Sequence, residues 1–300
     1  NIPIIRYLQV VVGTLFRATK YSNKNFINIC MGTGDIALIG FLLNKLYGMP
    51  FIVSVRGENS ISQVSRLSCF LIKSAKCVHL QSLSIETKFK CKFPDTQTIV
   101  VPNGIESNLF SNNPLSKRKI DVVYVGRLVS HAKEKNNDKG VRYLVRALNQ
   151  MKGLKSLIIG EGPDRNYLIN LSTNSGTFFL GRRNPEAVLK YISLSKVLVL
   201  PSVHGEGIPN VVIEAMSVGT PVIATSSGGT SDVVKDNQTG FLIESKNPEQ
   251  ITDSINNLLL DSKLWNRFSK NSLDNVKEYN WDIITNQFES KLKINTSDFN

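Results

Sequence analysis

The chain has 300 residues, of which 41% are hydrophobic, 20% charged and 8% aromatic. This composition excludes an intrinsically disordered or collagen-like chain, and the length suits one large domain or two medium ones. The net charge of +12 is typical of proteins that bind nucleic acid, an anionic membrane or a phosphorylated substrate. It also suits a protein with a lysine-rich solvated surface.

The cysteines and the apolar runs indicate where the protein works. The four cysteines lie in the first third of the chain, at Cys30, Cys69, Cys77 and Cys91. Their spacing fits neither a zinc site nor a disulfide scaffold, so we expect a cytoplasmic protein without a metal site. The apolar runs 4–16 and 36–46 are too short for a transmembrane helix, and no signal peptide is recognisable. Because Asn1 already stands in an amphipathic pattern, we expect the true N-terminus to be missing.

Short apolar runs rich in β-branched residues alternate with helical patterns along the whole chain. In the first part, strands are predicted at 26–30, 51–56, 77–82 and 98–102, and helices at 35–47 and 60–73. In the second part, strands are predicted at 121–126, 156–160, 177–180, 197–201, 221–225 and 240–243, and helices at 141–151, 165–171, 185–194 and 209–218. Continuous apolar strands between amphipathic helices indicate parallel sheets covered on both faces.

A polar, basic stretch with a proline, SNNPLSKRK at 111–119, predicts a linker between two domains. The first domain would then span 1–110, the second 120–277, and a C-terminal helix and tail 278–300. Six predicted strands are enough for a complete doubly wound second domain. The first domain has four and lacks an opening strand with a glycine-rich turn, so we expect it to be incomplete at its start.

The segment from the strand at 197–201 to Gly219 combines two carboxylates with a predicted helix N-terminus. Loops at the carboxyl ends of parallel strands line the ligand crevice of open α/β sheets. Glu206 in the loop and Glu214 on the helix are therefore expected to face one crevice. There they could accept hydrogen bonds from the paired hydroxyls of a ribose or hexose. Free N–H groups at the start of the helix could bind phosphate.

The string EGIPNVVIEAMSVGTPVIAT, which begins at Glu206, resembles the Glu-x7-Glu signature of retaining nucleotide-sugar glycosyltransferases of family 4. The resemblance extends over 98–290 through VVPNGIE, VVYVGRL, KGVRYLVRAL, IIGEGPD, SGGTSDVV and TGFLI. It implies the α/β GT-B fold, in which two Rossmann-like, doubly wound parallel-sheet domains face a cleft. It also implies transfer of a hexosyl unit from a nucleotide diphosphate sugar to a glycan or lipid-linked hydroxyl. The implied setting is cell-surface polysaccharide or lipopolysaccharide synthesis, with neither cofactor nor metal.

By this resemblance, Glu206 would contact the hydroxyls of the transferred sugar and Glu214 the donor ribose. Arg127 and Lys139 stand where the family places cations for the leaving diphosphate, whose developing charge such groups stabilise. The remaining donor-binding candidates lie next to these positions and at a glycine pair, namely Gly126, His204, Gly207, Ile208, Pro209, Asn210, Gly228 and Gly229. At the glycine pair, backbone N–H groups could approach the diphosphate closely.

Two positions depart from the family pattern. The loop before Lys139 is long, so Lys133 and Lys135 compete for its role; Lys139 is favoured because a glycine and a helix follow it. In the first domain, Arg56-Gly57-Glu58 replaces a His-Gly pair near the transferred sugar. An arginine stays protonated and cannot act as a general base. Arg56 and Glu58 could instead contact the acceptor or sugar, or form a structural ion pair.

Two other functions stay open: a nucleotide-sugar epimerase of the same fold and a non-catalytic nucleotide-sugar binder. The C-terminal residues 278–292 are expected to cross back onto the first domain, although Trp281 could equally belong to the core of the second. Residues 1–110 hold 12 basic and 5 acidic residues, a net charge of +7. We expect no nucleic-acid partner and a reversible contact with an anionic membrane through basic residues of this domain. The candidates are Arg66, Lys73, Lys76, Lys88, Lys90 and Lys92.

Overall fold

The computed structural model describes residues 27–297, apart from positions 58, 63, 110, 131–137 and 206 and the side chains of 59 and 293–297. The chain divides into two units. The first runs to Val101 and includes the residues from Ser290 onwards, and the second is Pro102–Glu289. Both are layered α/β structures, as the alternating sequence pattern predicts.

The described part of the first unit is built on a four-stranded parallel sheet. Its strands, in spatial as well as chain order, are β1 (Asn28–Cys30), β2 (Phe51–Val55), β3 (Cys77–Leu80) and β4 (Thr98–Val100). The helices are α1 (Asp35–Tyr47), α2 (Asn59–Ser62), α3 (Arg66–Ser74) and α4 (Leu83–Lys92). Every residue of β2 is buried, which explains its unbroken apolar pattern.

The predicted helix at 60–73 is two helices in the structure, because Ser65 caps a new one. The Ser65 side-chain oxygen accepts a hydrogen bond from the Ser68 N–H at 3.0 Å, and α3 begins at Arg66. Ser82 caps α4 in the same way through the Ile85 N–H. Such caps satisfy N–H groups that a helix start leaves unpaired.

The second unit has a six-stranded parallel sheet. Its strands are β5 (Ile120–Val125), β6 (Ser156–Ile159), β7 (Thr177–Gly181), β8 (Ser195–Leu200), β9 (Val222–Thr225) and β10 (Gly240–Ile243). Its first seven helices are α5 (Val141–Gln150), α6 (Arg165–Leu171), α7 (Pro185–Ser193), α8 (Asn210–Ser217), α9 (Thr230–Val233), α10 (Pro248–Leu260) and α11 (Ser262–Asn275). The strand order is β10-β9-β8-β5-β6-β7. The direction of winding therefore reverses between β5 and β8, which is the topological switch point of a doubly wound sheet.

Arg118, within the predicted linker 111–119, is buried in the second unit. Its guanidinium donates to the carbonyl oxygens of Asn113, Ser195, Val218 and Gly219 and to the Thr220 hydroxyl. It also lies over the Trp265 ring, 4.8 Å from the centroid. Burial lowers the pKa of Arg118 to about 10. The segment thus packs against the carbonyls that follow α8.

The last helix, α12 (Trp281–Ser297), begins in the second unit, and its residues from Ser290 onwards belong to the first. At its start, the Trp281 N–H donates to the Ile105 carbonyl at 3.2 Å, and the Trp281 ring covers Gly104. A Cβ on Gly104 would lie 2.6 Å from that ring. In the first unit, Lys291 Nζ donates to the Val100 carbonyl. Among the described helices, none has the length and apolar content needed to cross a membrane.

Candidate functional site

The loops that follow β5 and β8 meet at the switch point of the second sheet. The backbone N–H of Val203 donates to the carbonyl of Asp138 at 3.0 Å. Gly140 has a φ of 65°, and a Cβ there would lie 1.8 Å from the carbonyl oxygen of Pro201. Only glycine fits this close approach of two backbones. The fold therefore places Lys139 next to the loop that leads to α8.

Asp138 fixes the backbone on both sides of Lys139. Its buried carboxylate accepts hydrogen bonds from the Gly140 N–H and from the Arg142 guanidinium, both at 2.7 Å. The N–H of Lys139 donates to the Val129 carbonyl at 2.8 Å, and its side chain is half-buried. The competing Lys133 and Lys135 lie outside the described residues.

Arg127 is exposed on the loop after β5, and its backbone is held from two sides. Its carbonyl accepts a hydrogen bond from the Tyr124 hydroxyl at 3.0 Å. The preceding Gly126 donates its N–H to the Ile159 carbonyl, and its own carbonyl packs against Gly160. A Cβ on Gly160, whose φ is 141°, would lie 1.9 Å from that carbonyl oxygen.

A second acidic residue supports the same loop. The Asp164 carboxylate accepts a hydrogen bond from the Ser130 N–H at 2.6 Å, and the Ser130 hydroxyl accepts one from the Arg142 N–H. Neither Asp138 nor Asp164 was among the residues for which the sequence predicted a role. The signal that could have indicated Asp164 is its place in IIGEGPD, since the segment after β6 faces the same edge of the sheet.

Helix α8 presents an uncapped N-terminus and Glu214 at the switch point. The helix begins one residue later than predicted, because Pro209 takes the cap position, and no side chain caps it. Glu214 is half-buried, and burial raises the pKa of its carboxyl group. Within the part of the chain that the structure describes, no side chain pairs with this carboxylate. A shielded carboxylate of this kind is suited to accept hydrogen bonds from ligand hydroxyls.

The other predicted donor-binding residues near α8 differ in their environments. Gly207 and Ile208 are buried, and His204 is half-buried. Asn210 is exposed, and its side-chain oxygen accepts a hydrogen bond from Asn103 Nδ2 at 2.7 Å, a contact that no sequence pattern indicated. Glu206 lies outside the described residues.

The glycine pair follows β9, the neighbour of β8 in the sheet. Gly228 has a φ of 57°, and Gly229 takes the cap position of the short helix α9, which no side chain caps. The Gly228 carbonyl accepts a hydrogen bond from the Ser231 hydroxyl at 3.0 Å. The pair therefore stands at the same edge of the sheet as the loops after β5 and β8.

In the first unit, Arg56 follows β2 and is exposed, whereas Glu58 lies outside the described residues. A histidine that sequence analysis did not single out lies nearby in the sheet. His79 Nε2 is 2.8 Å from the Val101 carbonyl, and Nδ1 is 3.0 Å from the Ser54 hydroxyl. Burial lowers the pKa of His79, and the nearby positive charge of Arg56 adds to this effect. The carbonyl requires a proton on Nε2, and in the neutral imidazole that the lowered pKa favours, Nδ1 accepts from the Ser54 hydroxyl.

The described residues contain no group of three or more His, Cys, Asp or Glu side chains that could hold a metal ion. Arg127 and Lys139, both on the loop after β5, bring positive charge to this edge of the sheet.

Comparisons with known sequences identify relatives of the chain. The family model described as "Glycosyl transferases group 1" matches residues 106–274. An uncharacterized glycosyltransferase of Methanocaldococcus jannaschii is 27% identical over 85% of this chain and 72% of its own length. The lipopolysaccharide 1,2-N-acetylglucosaminetransferase of Salmonella typhimurium is 24% identical, over 67% of this chain and 58% of its own length. TuaC of Bacillus subtilis, a putative teichuronic acid biosynthesis glycosyltransferase, is 27% identical over 84% of this chain and 65% of its own length.

Solved structures show the same fold. HepE of Anabaena in complex with UDP superposes with a TM-score of 0.80 at 19% identity, covering 94% of this chain and 81% of HepE. Sucrose-phosphate synthase of Thermosynechococcus elongatus gives a TM-score of 0.78 at 21% identity, covering 98% of this chain and 80% of the synthase chain. The chain thus has the GT-B fold that the sequence predicts. Because the family model spans more than half of its residues, the chain belongs to the glycosyl transferases group 1 family.

Proposed function

We propose that the protein is a retaining, family 4 glycosyltransferase that moves a hexosyl unit from a nucleotide diphosphate sugar to a glycan or lipid-linked hydroxyl. The observation that carries this proposal is the half-buried carboxylate of Glu214 at the switch point, with which no described side chain pairs, on a helix whose start no described side chain caps. Such a site suits a ligand that combines ribose hydroxyls with phosphates. The structures of HepE with UDP and with UDP-glucose support this assignment.

In this proposal, the donor is held by groups from three loops. Glu214 accepts hydrogen bonds from the ribose hydroxyls, and Glu206 binds hydroxyls of the transferred sugar. The backbone N–H groups at the start of α8 and at Gly228-Gly229 bind the diphosphate. His204, Gly207, Ile208, Pro209 and Asn210 complete the wall of the site on the α8 side, and Gly126 does so on the β5 side.

The bond that breaks joins the anomeric carbon of the sugar to a diphosphate oxygen, which keeps the electron pair. Arg127 and Lys139 stabilise the negative charge that develops on the diphosphate, so no metal or cofactor is required. The acceptor oxygen bonds to the anomeric carbon, and its proton passes to the departing diphosphate. Because the diphosphate leaves from the face that the acceptor enters, the anomeric configuration is retained. In the first unit, Arg56 binds an anionic part of the acceptor or sugar. Glu58, two residues further along the chain, is the second candidate on this side.

We also propose that the protein acts in the cytoplasm, at the inner face of a membrane, in the synthesis of a surface polysaccharide or lipopolysaccharide. The lipopolysaccharide and teichuronic acid functions of the Salmonella and Bacillus relatives support this setting. Helix α3 is the favoured contact with the membrane. Its Leu67 and Phe70 are 50% and 53% exposed, and the basic residues Arg66 and Lys73 flank them. Apolar side chains beside basic ones suit the interface of an anionic bilayer.

Two basic residues of α4, Lys90 and Lys92, contribute less to the proposed membrane contact. Lys90 Nζ donates to the Thr96 carbonyl at 2.6 Å, and Lys92 Nζ donates to the Ile61 carbonyl at 2.9 Å. These ammonium groups are thus already engaged by neighbouring backbone. Lys88 is exposed and Lys76 half-buried, and both add positive charge near α3 and α4.

A donor screen with acceptor extract tests the proposed function. We expect nucleoside diphosphate to be released only when donor and acceptor are both present, and NMR of the product to show the anomeric configuration of the donor. An epimerase would convert the donor into its epimer without an acceptor, and a non-catalytic binder would leave it unchanged. A product of inverted configuration would contradict the retaining mechanism.

A further inference from the structure

The loop after β5 is hydrogen-bonded to the segment that follows β6. The Gly126 N–H donates to the Ile159 carbonyl at 3.0 Å, and the Leu128 N–H donates to the Glu161 carbonyl at 2.9 Å. These two bonds continue the parallel pairing of β5 with β6 beyond the ends of both strands. The segment after β6 is therefore a fixed platform for the first residues of the loop.

Asp164 ties this platform to the loop at two points. Its N–H donates to the Leu128 carbonyl at 3.1 Å, and its carboxylate accepts a hydrogen bond from the Ser130 N–H at 2.6 Å. Ser130 is fully buried, so its N–H depends on a protein acceptor, and a carboxylate is a stronger acceptor than a neutral oxygen. The close approach requires glycine nearby, because a Cβ on Gly162 would lie 2.4 Å from the Leu128 carbonyl oxygen.

Ser130 and Val129 connect the Asp164 carboxylate to Lys139. The Val129 carbonyl accepts a hydrogen bond from the Lys139 N–H at 2.8 Å. The Ser130 hydroxyl accepts one from the N–H of Arg142, in the first turn of α5, at 2.9 Å. The loop after β5 thus meets the start of α5 at Ser130, and the Asp164 carboxylate fixes the backbone at that point.

The two carboxylates near Lys139 act on different neighbours. Asp138 holds the turn through Gly140 and Arg142, whereas Asp164 holds the backbone that receives the Lys139 N–H. We propose that Asp164 is a positioning residue, which sets the place of the Lys139 ammonium group for the diphosphate. This inference rests on the proposed function, in which Lys139 stabilises the departing diphosphate. Such a charge is effective because its position is fixed before the reaction.

Calorimetric titration of the full chain with UDP, GDP and ADP tests the proposal on the nucleotide that binds most tightly. Asp164→Ala removes the acceptor of the Ser130 N–H and is expected to weaken nucleotide binding by about tenfold, within the range of coupling between neighbouring residues. Asp164→Asn keeps an acceptor oxygen and should restore most of the affinity. Equal loss of affinity in both variants would overturn the proposal.

Asp121→Ala is the matched control. Asp121 lies near the amino end of β5, at the opposite edge of the sheet, and its carboxylate accepts a hydrogen bond from the Lys155 N–H at 2.8 Å. It also pairs with Lys196 at 2.7 Å. Its removal should lower the melting temperature, as that of Asp164 should, but leave the nucleotide affinity unchanged. Weaker nucleotide binding in both alanine variants would reduce Asp164 to a contribution to stability and overturn the proposal.

A double-mutant cycle with Lys139→Ala tests whether Asp164 acts through that lysine. In the Lys139→Ala background, Asp164→Ala should weaken nucleotide binding by less than about twofold, because the group that it positions is gone. An undiminished effect in this background would overturn the proposal.

Glu214→Ala distinguishes failure of this inference from failure of the proposed function. Weak nucleotide binding in Glu214→Ala and Lys139→Ala, with normal binding in Asp164→Ala, would overturn the role of Asp164 alone. Normal binding in Lys139→Ala would overturn the roles of both Lys139 and Asp164, and absence of binding by all three nucleotides would overturn the donor site as well.

Discussion

The backbone N–H of Val203 and the carbonyl of Asp138 are joined by a 3.0 Å hydrogen bond that ties the loop after β8 to the loop after β5. The Asp138 carboxylate holds the other end of the same turn through Gly140 and Arg142. The position of Lys139 is therefore coupled to that of the loop that leads to α8. Both loops belong to the second unit, so this part of the site is organised within one domain.

Removing the Asp138 carboxylate should loosen both loops. Asp138→Ala leaves the buried N–H of Gly140 unpaired and is expected to lower the free energy of unfolding by about 1–3 kcal/mol. Asp138→Asn keeps an acceptor oxygen and should cost less. Urea unfolding measures both values, and UDP titration should show weaker binding in the alanine variant. Equal stability of the two variants would contradict the role given to the carboxylate.

Replacing the Glu214 carboxylate should stabilise the ligand-free protein at neutral pH and weaken its binding of nucleotide. Because burial raises its pKa, the neutral form is favoured in the folded state. The stabilisation that the neutral Glu214 carboxyl group gives the folded state is therefore fully present below its ordinary pKa of 4.5. This stabilisation is lost as the pH rises through the raised pKa of the folded protein. Without ligand, Glu214→Gln should thus melt higher than the wild type at pH 7 and at the same temperature at pH 4. Its affinity for UDP should fall about 10- to 100-fold, since hydrogen bonds to a charged group contribute about 1.5–3 kcal/mol. Equal melting temperatures at pH 7 would contradict the first expectation.

Arg127 and Lys139 should each contribute about 3 kcal/mol to transition-state stabilisation, the scale found for preorganised electrostatic groups. Calorimetric titration with UDP and transfer kinetics of Arg127→Ala and Lys139→Ala measure this loss. Lys133→Ala is the control from the same loop. Normal binding in Lys139→Ala together with weak binding in Lys133→Ala would assign the role to Lys133.

Gly140 should tolerate no side chain, because a Cβ would meet the Pro201 carbonyl at 1.8 Å. Gly153 is a matched control, since its φ is 80° and no atom lies within 4 Å of the place that a Cβ would occupy. Gly153→Ala should cost about 1–2 kcal/mol from its left-handed backbone alone. Gly140→Ala should cost more and should also weaken UDP binding, because the two loops would have to separate. Equal stability losses would show that the contact with Pro201 is unimportant.

Helix α3 should determine binding to anionic membranes. Wild-type protein is expected to co-sediment with phosphatidylglycerol vesicles at low salt and to be released at high salt, since surface charge is screened. Arg66→Glu with Lys73→Glu should abolish this binding. Lys263→Glu, an exposed lysine of the second unit, should have a smaller effect. Equal binding to neutral vesicles would count against an electrostatic contact.

The sequence predicted the strands well, because buried parallel strands are continuous apolar runs with glycine, proline or polar residues at their ends. No predicted strand end moves by more than two residues in the structure. The alternating pattern and the family motifs predicted doubly wound parallel sheets, whereas the strand order, and hence the switch point, comes from the structure. The described motif residues at this edge, such as Gly126 and Gly228, follow strands β5 and β9 in the structure, and their roles in binding stay predictions.

The supporting side chains could not be predicted, because their contacts join residues far apart in the sequence without a periodic signal. Arg118 stands in a polar stretch that resembles a linker. In the structure it is buried, and its guanidinium donates to carbonyl oxygens as far along the chain as that of Gly219. His79 interrupts an apolar strand, and its partners are on β2 and after β4. Asp138 lies in a charged loop whose composition indicates only exposure to solvent.

We expect a nucleoside diphosphate to bind at the switch point of the second unit. Hydrogen–deuterium exchange with and without UDP, GDP and ADP locates this binding along the chain. We predict that at least one nucleotide slows amide exchange at 126–130, 138–141 and 203–215, and that Glu214→Ala reduces this protection at equal nucleotide concentration. Protection confined to the first unit, or absent with all three nucleotides, would contradict the claim.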